Sequence, residues 1–292
     1  MGNVVDLRTT EGAVAIERDV VQVAGPEALA FLQGQLSQDV DALGVGASGW
    51  SLLLQPTGKV DAWLRVTGLG DEELALDVDH GAGDAVLARL QRFKLRTKAE
   101  LSRAQWSGWA LRGPSVERRE AVAPDVLALP AGWPGVPGVD LLGVGIDLPA
   151  GIDPLPATAL EALRVECGVP VLGADLSDAT IPAEAGQWLI DASVSFTKGC
   201  YTGQELVARI DSRGGNVPRP LRGLLADGEP LPVGAPVRLD GKEVGHVTSS
   251  ATSAALGAIA LAPLSRAVEI GAEVEVGESS VRSATVAELP LR

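Results

Sequence analysis

The C-terminal part of the chain leaves little choice of fold. From Leu221 onward its apolar runs are short and are separated by Gly, Asp and Pro. Residues 221–226, 235–239, 243–249, 257–262, 273–276 and 280–288 each have the length and patterning of a strand. Short strands punctuated by turn residues suit a small β-barrel. Pro218 and Pro220 mark a boundary, so 218–292 is expected to form this barrel.

Ahead of that boundary, paired strands alternate with helices. Residues 20–23 read as a strand. Gly25-Pro26-Glu27 then opens a helix with Pro at its first position and Ala28, Leu29, Phe31, Leu32 and Leu36 on its apolar face. Residues 50–55 and 59–66 are strands joined by the turn Pro56-Thr57-Gly58, and 74–78 is another. Residues 84–96 are a helix with Val86, Leu87, Leu90 and Phe93 on one side, and 101–112 return to strand character. This pattern predicts an α+β region with an antiparallel sheet. Residues 124–156 carry seven prolines, so regular structure is not expected to persist there. We read a connector or compacted second subdomain at about 122–157, inside a two-subdomain region spanning 1–217. Residues 158–167 form a helix with Leu160, Leu163 and Cys167 on one face, which makes Cys167 a core residue. Residues 173–187 read as a long loop.

Composition excludes several classes. The longest mostly apolar stretch, 254–264, is too short to span a bilayer. Asp6, Arg8 and Glu11 stand where a signal peptide needs apolar residues, so a soluble cytoplasmic protein is expected. Two cysteines make no disulfide framework. A net charge of −14 argues against general nucleic-acid binding. The basic residues are uneven, however: Arg89, Arg92, Lys94, Arg96, Lys98 and Arg103 form one cluster, and Lys198, Arg209, Arg213, Arg219 and Arg222 another. If both faced one cavity, they would give a local positive site for an anionic ligand. Gly44-Val45-Gly46-Ala47-Ser48-Gly49 matches G-x-G-x-x-G but opens no helix, so the dinucleotide context is missing. His80 and His246 read as structural, and the two Cys and two His show no zinc spacing.

Chemistry concentrates in Lys198-Gly199-Cys200-Tyr201-Thr202-Gly203-Gln204-Glu205. Thr202-x-x-Glu205 has the capping-box pattern, and a helix is expected from about Gly203. Cys200 would sit just ahead of its N-terminus, where backbone N–H groups and the nearby Lys198 favour a thiolate. Cys200 and Lys198 are therefore the candidate catalytic pair.

This octapeptide, with Arg209 four residues on, resembles the signature of the YgfZ family, folate-binding relatives of the glycine cleavage T-protein. Residues 31–40, 54–60, 164–170 and 244–250 resemble further family blocks, in family order. The resemblance implies a T-protein-like folate-binding region followed by a small barrel. It implies tetrahydrofolate as cofactor, and a role in maintaining iron–sulfur proteins, including enzymes that thiolate tRNA. It implies folate and Fe–S client or assembly proteins as partners, without direct contact to nucleic acid. Where some members set aromatic residues against folate, this chain has Arg18 and Leu160, so the folate contacts are left unassigned. The connector also looks short for closing the family's channel.

A lone thiol limits the mechanism. An Fe–S cluster takes about four protein ligands, so Cys200 cannot hold one stably, and no bound metal is expected. The expected function is an accessory factor for Fe–S assembly or repair rather than an enzyme. The alternative is an aminomethyl or one-carbon transferase using tetrahydrofolate.

Overall fold

The computed structural model describes residues 4–116 and 126–291. The chain is α+β, with two seven-stranded antiparallel sheets and five α-helices among the described residues. The first sheet holds β1 (Gly12–Ala24), β2 (Ser48–Leu54), β3 (Val60–Gly70), β4 (Glu73–Asp79), β5 (Glu100–Arg112), β6 (Leu127–Pro130) and β7 (Gly138–Gly143) in the order β2-β3-β4-β1-β5-β7-β6. Its axis is β1, paired with β5 from Gly12↔Arg112 to Ala24↔Glu100.

Burial along β1 has a pattern that periodicity alone does not suggest. Ala13 packs with Leu111, Val139 and Leu141 in one core. Val21 and Val23 pack with Phe31, Leu32, Leu64 and Leu76 in another. Between them Ala15 and Glu17 are exposed. The strand is therefore longer than the apolar run 20–23, because its middle faces an opening instead of a core.

The helices α1 (Ala28–Gln35) and α2 (Gly83–Phe93) cover the second of these cores. Pro26 lies in the turn ahead of α1, whose N-cap is Glu27, so the helix starts later than Pro at its first position would give. The Pro/Gly-rich stretch corrects a larger expectation. It carries β6 and β7, a hairpin that extends the sheet beyond β5 through pairs such as Gly108↔Leu142 and Leu127↔Leu142. Pro130 is tolerated because it ends an edge strand, where a missing N–H breaks no interior ladder.

Two faces of α3 (Ala157–Cys167) are buried. Leu163 and Cys167 face a core with Leu52, Leu54, Trp63 and Leu189. Ala162 and Val165 face Leu221, Ile259, Leu261 and Leu291. The expected loop at 173–187 contains a short 3-10 turn, Pro182–Ala185, and α4 (Gln187–Ser193) and α5 (Gln204–Asp211) follow.

The second sheet holds β8 (Leu221–Ala226), β9 (Pro236–Leu239), β10 (Lys242–His246), β11 (Ser249–Ser253), β12 (Gly257–Pro263), β13 (Glu273–Val276) and β14 (Arg282–Ala287), in the order β10-β9-β13-β14-β8-β12-β11. A bridge between Gly245 and Leu264 curls its β10 edge back toward β12. Val237, Val247, Leu264, Val274 and Val286 fill the interior. The single strand expected at 243–249 is two strands. The chain turns a corner at Val247 and Thr248, where Val247 N–H bonds the Ala235 carbonyl and Thr248 N–H the Leu261 carbonyl.

Candidate functional site

A cavity of about 520 Å³ opens where β1 is left uncovered. Its walls come from the middle of β1, the β2–β3 hairpin, β5, β7 and α3. Trp50 and Trp63 stack at 4.1 Å between ring centroids, and Trp188 meets Trp63 edge-on at 5.8 Å. The stacked pair is tied down at its polar ends: Trp50 Nε1 donates to the Ala131 carbonyl and Trp63 Nε1 to Ser193 Oγ, both at 2.9 Å. Trp133 lines another side under the Arg112 guanidinium, 4.3 Å from its ring centroid.

Behind the aromatic rings lies an ion-pair network. Arg18 bonds Asp77 Oδ1 at 2.9 Å and also contacts Asp79. Arg65 reaches Asp77 Oδ2 at 3.0 Å and Asp140 Oδ2 at 3.1 Å, with its guanidinium 5.2 Å from the Trp50 centroid. Arg112 Nη1 lies 2.9 Å from Asp140 Oδ1. Arg164 holds Glu161 with two N–H donors, at 2.8 and 2.6 Å, and sends a third to Asp175 Oδ2 at 2.9 Å. Burial by itself would raise the Asp140 carboxyl, but Arg112, Arg65 and Arg18 outweigh it and hold the group below the ordinary range. The same opposition raises Arg18: burial disfavours its charge, and Asp79, Asp77 and Asp140 more than restore it. Most of the charges lining the cavity are thus paired, while Arg112 Nε and Asp140 Oδ1 are buried without a hydrogen-bond partner.

Arg18 and Leu160, which fell at aromatic positions of the family pattern, both line this cavity. The two basic clusters do not: no residue from either contributes to its wall. In the first cluster Arg89 pairs with Asp61 at 2.8 Å, and Arg103 pairs with Asp19 at 3.1 Å and Asp84 at 3.0 Å. The condition for a combined positive site is therefore not met at this cavity, whose wall is aromatic with acidic and basic side chains side by side. His80 is exposed beside Asp19 and Glu17, and His246 is exposed at the end of β10. Among the described residues, no group of three or more His, Cys, Asp and Glu is placed to hold a metal ion. None of their helices is long and apolar enough to cross a membrane.

The Cys200 loop is a second, separate feature. Cys200 is exposed and is not part of the cavity wall. Lys198 turns away into the fold. Its Nζ donates to the carbonyls of Gln33 and Leu36 at 2.7 Å and of Gln38 at 2.8 Å, which uses all three ammonium donors. Thr202 N–H takes the Gly34 carbonyl at 3.1 Å. The loop thus satisfies the orphan carbonyls at the C-terminus of α1 and places a positive charge at the negative end of its dipole. Burial lowers the Lys198 ammonium to about 8, although Asp39 and Asp41 pull the other way. Tyr201 lies under this ammonium, 5.4 Å from it, in the same core as Leu54 and Trp63.

The helix α5 does begin next to Gly203, but without a capping box. Gly203 is the N-cap in the left-handed region, with φ 84°, and no side chain caps the helix. Thr202 is thereby one residue too early to be the cap. Instead Gln204 Oε1 accepts the Tyr201 N–H at 3.2 Å. Glu205 and Arg209 lie exposed on α5. Gly203 is required by close packing: a Cβ there would stand 2.6 Å from the Gln55 carbonyl oxygen, and one on Gly58 would stand 2.3 Å from Leu206 Cβ. Gly199 has open space around it. Cys167 is fully buried, and burial pushes its thiol up to about 12, which makes it an inert core group.

Residues 219–291 match the glycine cleavage T-protein C-terminal barrel domain. An aminomethyltransferase of Moorella thermoacetica is 30% identical over 92% of this chain and 83% of its own length. The tRNA-modifying protein YgfZ of Yersinia enterocolitica is 30% identical over 68% of this chain and 66% of its own. A mitochondrial homolog of the iron–sulfur cluster assembly factor IBA57 from Pyricularia oryzae is 28% identical over 82% and 63%. The crystal structure of glycine cleavage system aminomethyltransferase T from Bartonella henselae superposes with a TM-score of 0.78 at 20% identity, covering 97% of this chain and 87% of that one. At that identity the superposition speaks for the fold.

Proposed function

Because the chain belongs to the aminomethyltransferase T-protein family, in its YgfZ branch, we propose that it is a cytoplasmic folate-binding factor serving the assembly or repair of iron–sulfur proteins, with Cys200 as its reactive group. The observation that carries the folate reading is the cavity beside β1. Its volume of about 520 Å³ falls within the range of small-molecule sites, and tryptophan faces suit a flat heterocycle. Trp63 and Trp133 would form its aromatic walls. Arg18, Arg164 and Asp140 would supply the polar contacts. A bound folate would supply a one-carbon carrier; the chain's own part is to orient it and exclude water from it.

The iron–sulfur reading rests on the names of the YgfZ and cluster-assembly relatives and on the exposed thiol. Cys200 stands free on the surface, where a client protein can reach it. As a single ligand it suits transient contact with a cluster carried by a client, not storage. Lys198 is assigned a positioning role, since its donors are committed to α1. Fe–S clients, including tRNA-thiolating enzymes, are the partners this reading predicts.

The aminomethyl or one-carbon transferase alternative is favoured by the near full-length similarity to a chain named aminomethyltransferase. Against it, Asp77, Asp79, Asp140 and Glu161 are each engaged by an arginine, so none of these carboxylates is free to act as a base on a substrate amine. Two measurements separate the readings. Tetrahydrofolate should quench tryptophan fluorescence on titration, and absence of binding removes both. Cys200→Ala in cells under oxidative stress should lower several Fe–S enzyme activities; unchanged activities, with methylenetetrahydrofolate released from an aminomethyl donor, would leave the transferase.

A further inference from the structure

We propose that the cavity reads only the flat, uncharged part of its ligand, and that Glu17 at the mouth selects against a negatively charged extension. This rests on the folate reading and names which part of such a ligand is recognised.

The cavity has a clear inside and outside. Trp63, Ala110, Arg112, Asp140 and Arg164 are among its buried residues, whereas Ala15, Glu17, Ala157 and Thr158 are exposed at its edge. A ligand whose ring system fills the buried end must send any tail out past that edge. The acidic groups near the opening are Glu17, 74% exposed, and Glu161, 42% exposed. Glu161 is held by Arg164, which is shared with Asp175, and Arg18 is clasped by Asp77 and Asp79. Arg18 and Arg164 therefore have little to offer an incoming carboxylate without breaking a buried pair, and Arg112, whose Nε has no partner, is buried at the inner end away from the mouth. Among the described residues, no lysine lines the cavity.

Beyond Glu17 the surface runs into a groove of about 250 Å³ that shares Glu17 and Arg18 with the cavity. It is lined by Asp19, His80, Gln105 and Trp106, again without lysine. Arg103, the cation paired with Asp19, does not line the groove and is also held by Asp84. The Glu17 carboxylate faces His80 Nε2 at 3.6 Å and otherwise points into solvent. A chain of formal charge −14 adds a repelling background. An oligoglutamyl tail thus meets carboxylates where a tail-reading site would present cations.

The test compares three probes on the full chain by tryptophan fluorescence: a tetrahydropterin without a tail, tetrahydrofolate with one glutamate, and its triglutamate form. Each added charge should weaken binding about twofold at low salt, the triglutamate being the weakest. The difference should shrink as salt rises from about 50 to about 300 mM. Glu17→Gln should narrow it in the same way while leaving the tail-less probe unchanged. Triglutamate binding more than about threefold tighter than monoglutamate at low salt overturns the inference and leaves the folate reading standing. A gap that Glu17→Gln does not narrow overturns the role given to Glu17. Failure of all three probes to bind overturns the folate reading, and the inference with it.

Discussion

At the scale of single residues, the two halves of one motif do different work. Cys200 is exposed with open space around the preceding Gly199, whereas Gly203 is locked against the β2–β3 turn. The two glycines should therefore respond differently to a methyl group. Gly203→Ala must place a Cβ against the Gln55 oxygen at a positive φ, and should cost at least about 2 kcal/mol of unfolding free energy in urea. Gly199→Ala should stay within about 0.5 kcal/mol of the parent. Equal effects would mean that α5 does not seat on the hairpin as described. The place of Cys200 just ahead of α5 was legible in the sequence, and so was the core position of Cys167, because periodicity on α3 places it inward. The job of Lys198 was not legible. Its partners lie about 160 positions earlier, and proximity along the chain pointed to the thiol instead.

At the scale of elements, α1 and the Cys200 loop are one unit. The loop supplies an ammonium and a backbone N–H to carbonyls that end α1. Lys198→Met keeps the stem and removes the donors, leaving these carbonyls without their partner. We expect a loss of about 2 kcal/mol in chemical denaturation and faster amide exchange in the last turn of α1. Unchanged exchange there would show that the loop does not cap the helix. The sequence was readable wherever one face of an element meets one core, as in α2 and β13. It was misread where an element serves an opening or an edge. Only 20–23 of β1 was read as a strand because its middle lines a cavity, and β6–β7 looked irregular because an edge hairpin tolerates proline. The capping box failed through a shift of one residue, when Gly203 took the left-handed position.

At the scale of the whole molecule, α3 joins the cavity to the barrel. Arg164 touches Glu161 at the cavity and Asp175 beyond it, and Asp175 accepts from Thr248 Oγ1 at 2.6 Å and Ser249 Oγ at 2.8 Å on the barrel side. Asp175→Ala leaves a largely buried guanidinium with one partner fewer and takes from Ser249 Oγ its acceptor, while Thr248 Oγ1 keeps the Leu261 carbonyl. It should cost about 3–5 kcal/mol in urea unfolding, and expose the chain to protease between α5 and β8. A loss below about 1 kcal/mol would show that the two sheets are joined by apolar packing alone. The division at 217/218 is our proposal for where such cleavage falls.

The bond from Lys198 to the Gln33 carbonyl spans 165 positions. On a ribosome adding roughly 5–20 residues per second, that interval lasts on the order of ten to thirty seconds. Throughout it the end of α1 has emerged and the residue that closes it does not yet exist. The nascent chain must therefore wait with an unfinished first core, open to chaperones, until the segment bearing the thiol arrives and seals it. The Cys200 loop is among the last parts of the first sheet's surroundings to be made, so a chain cut short before Lys198 lacks both Cys200 and the groups that close α1.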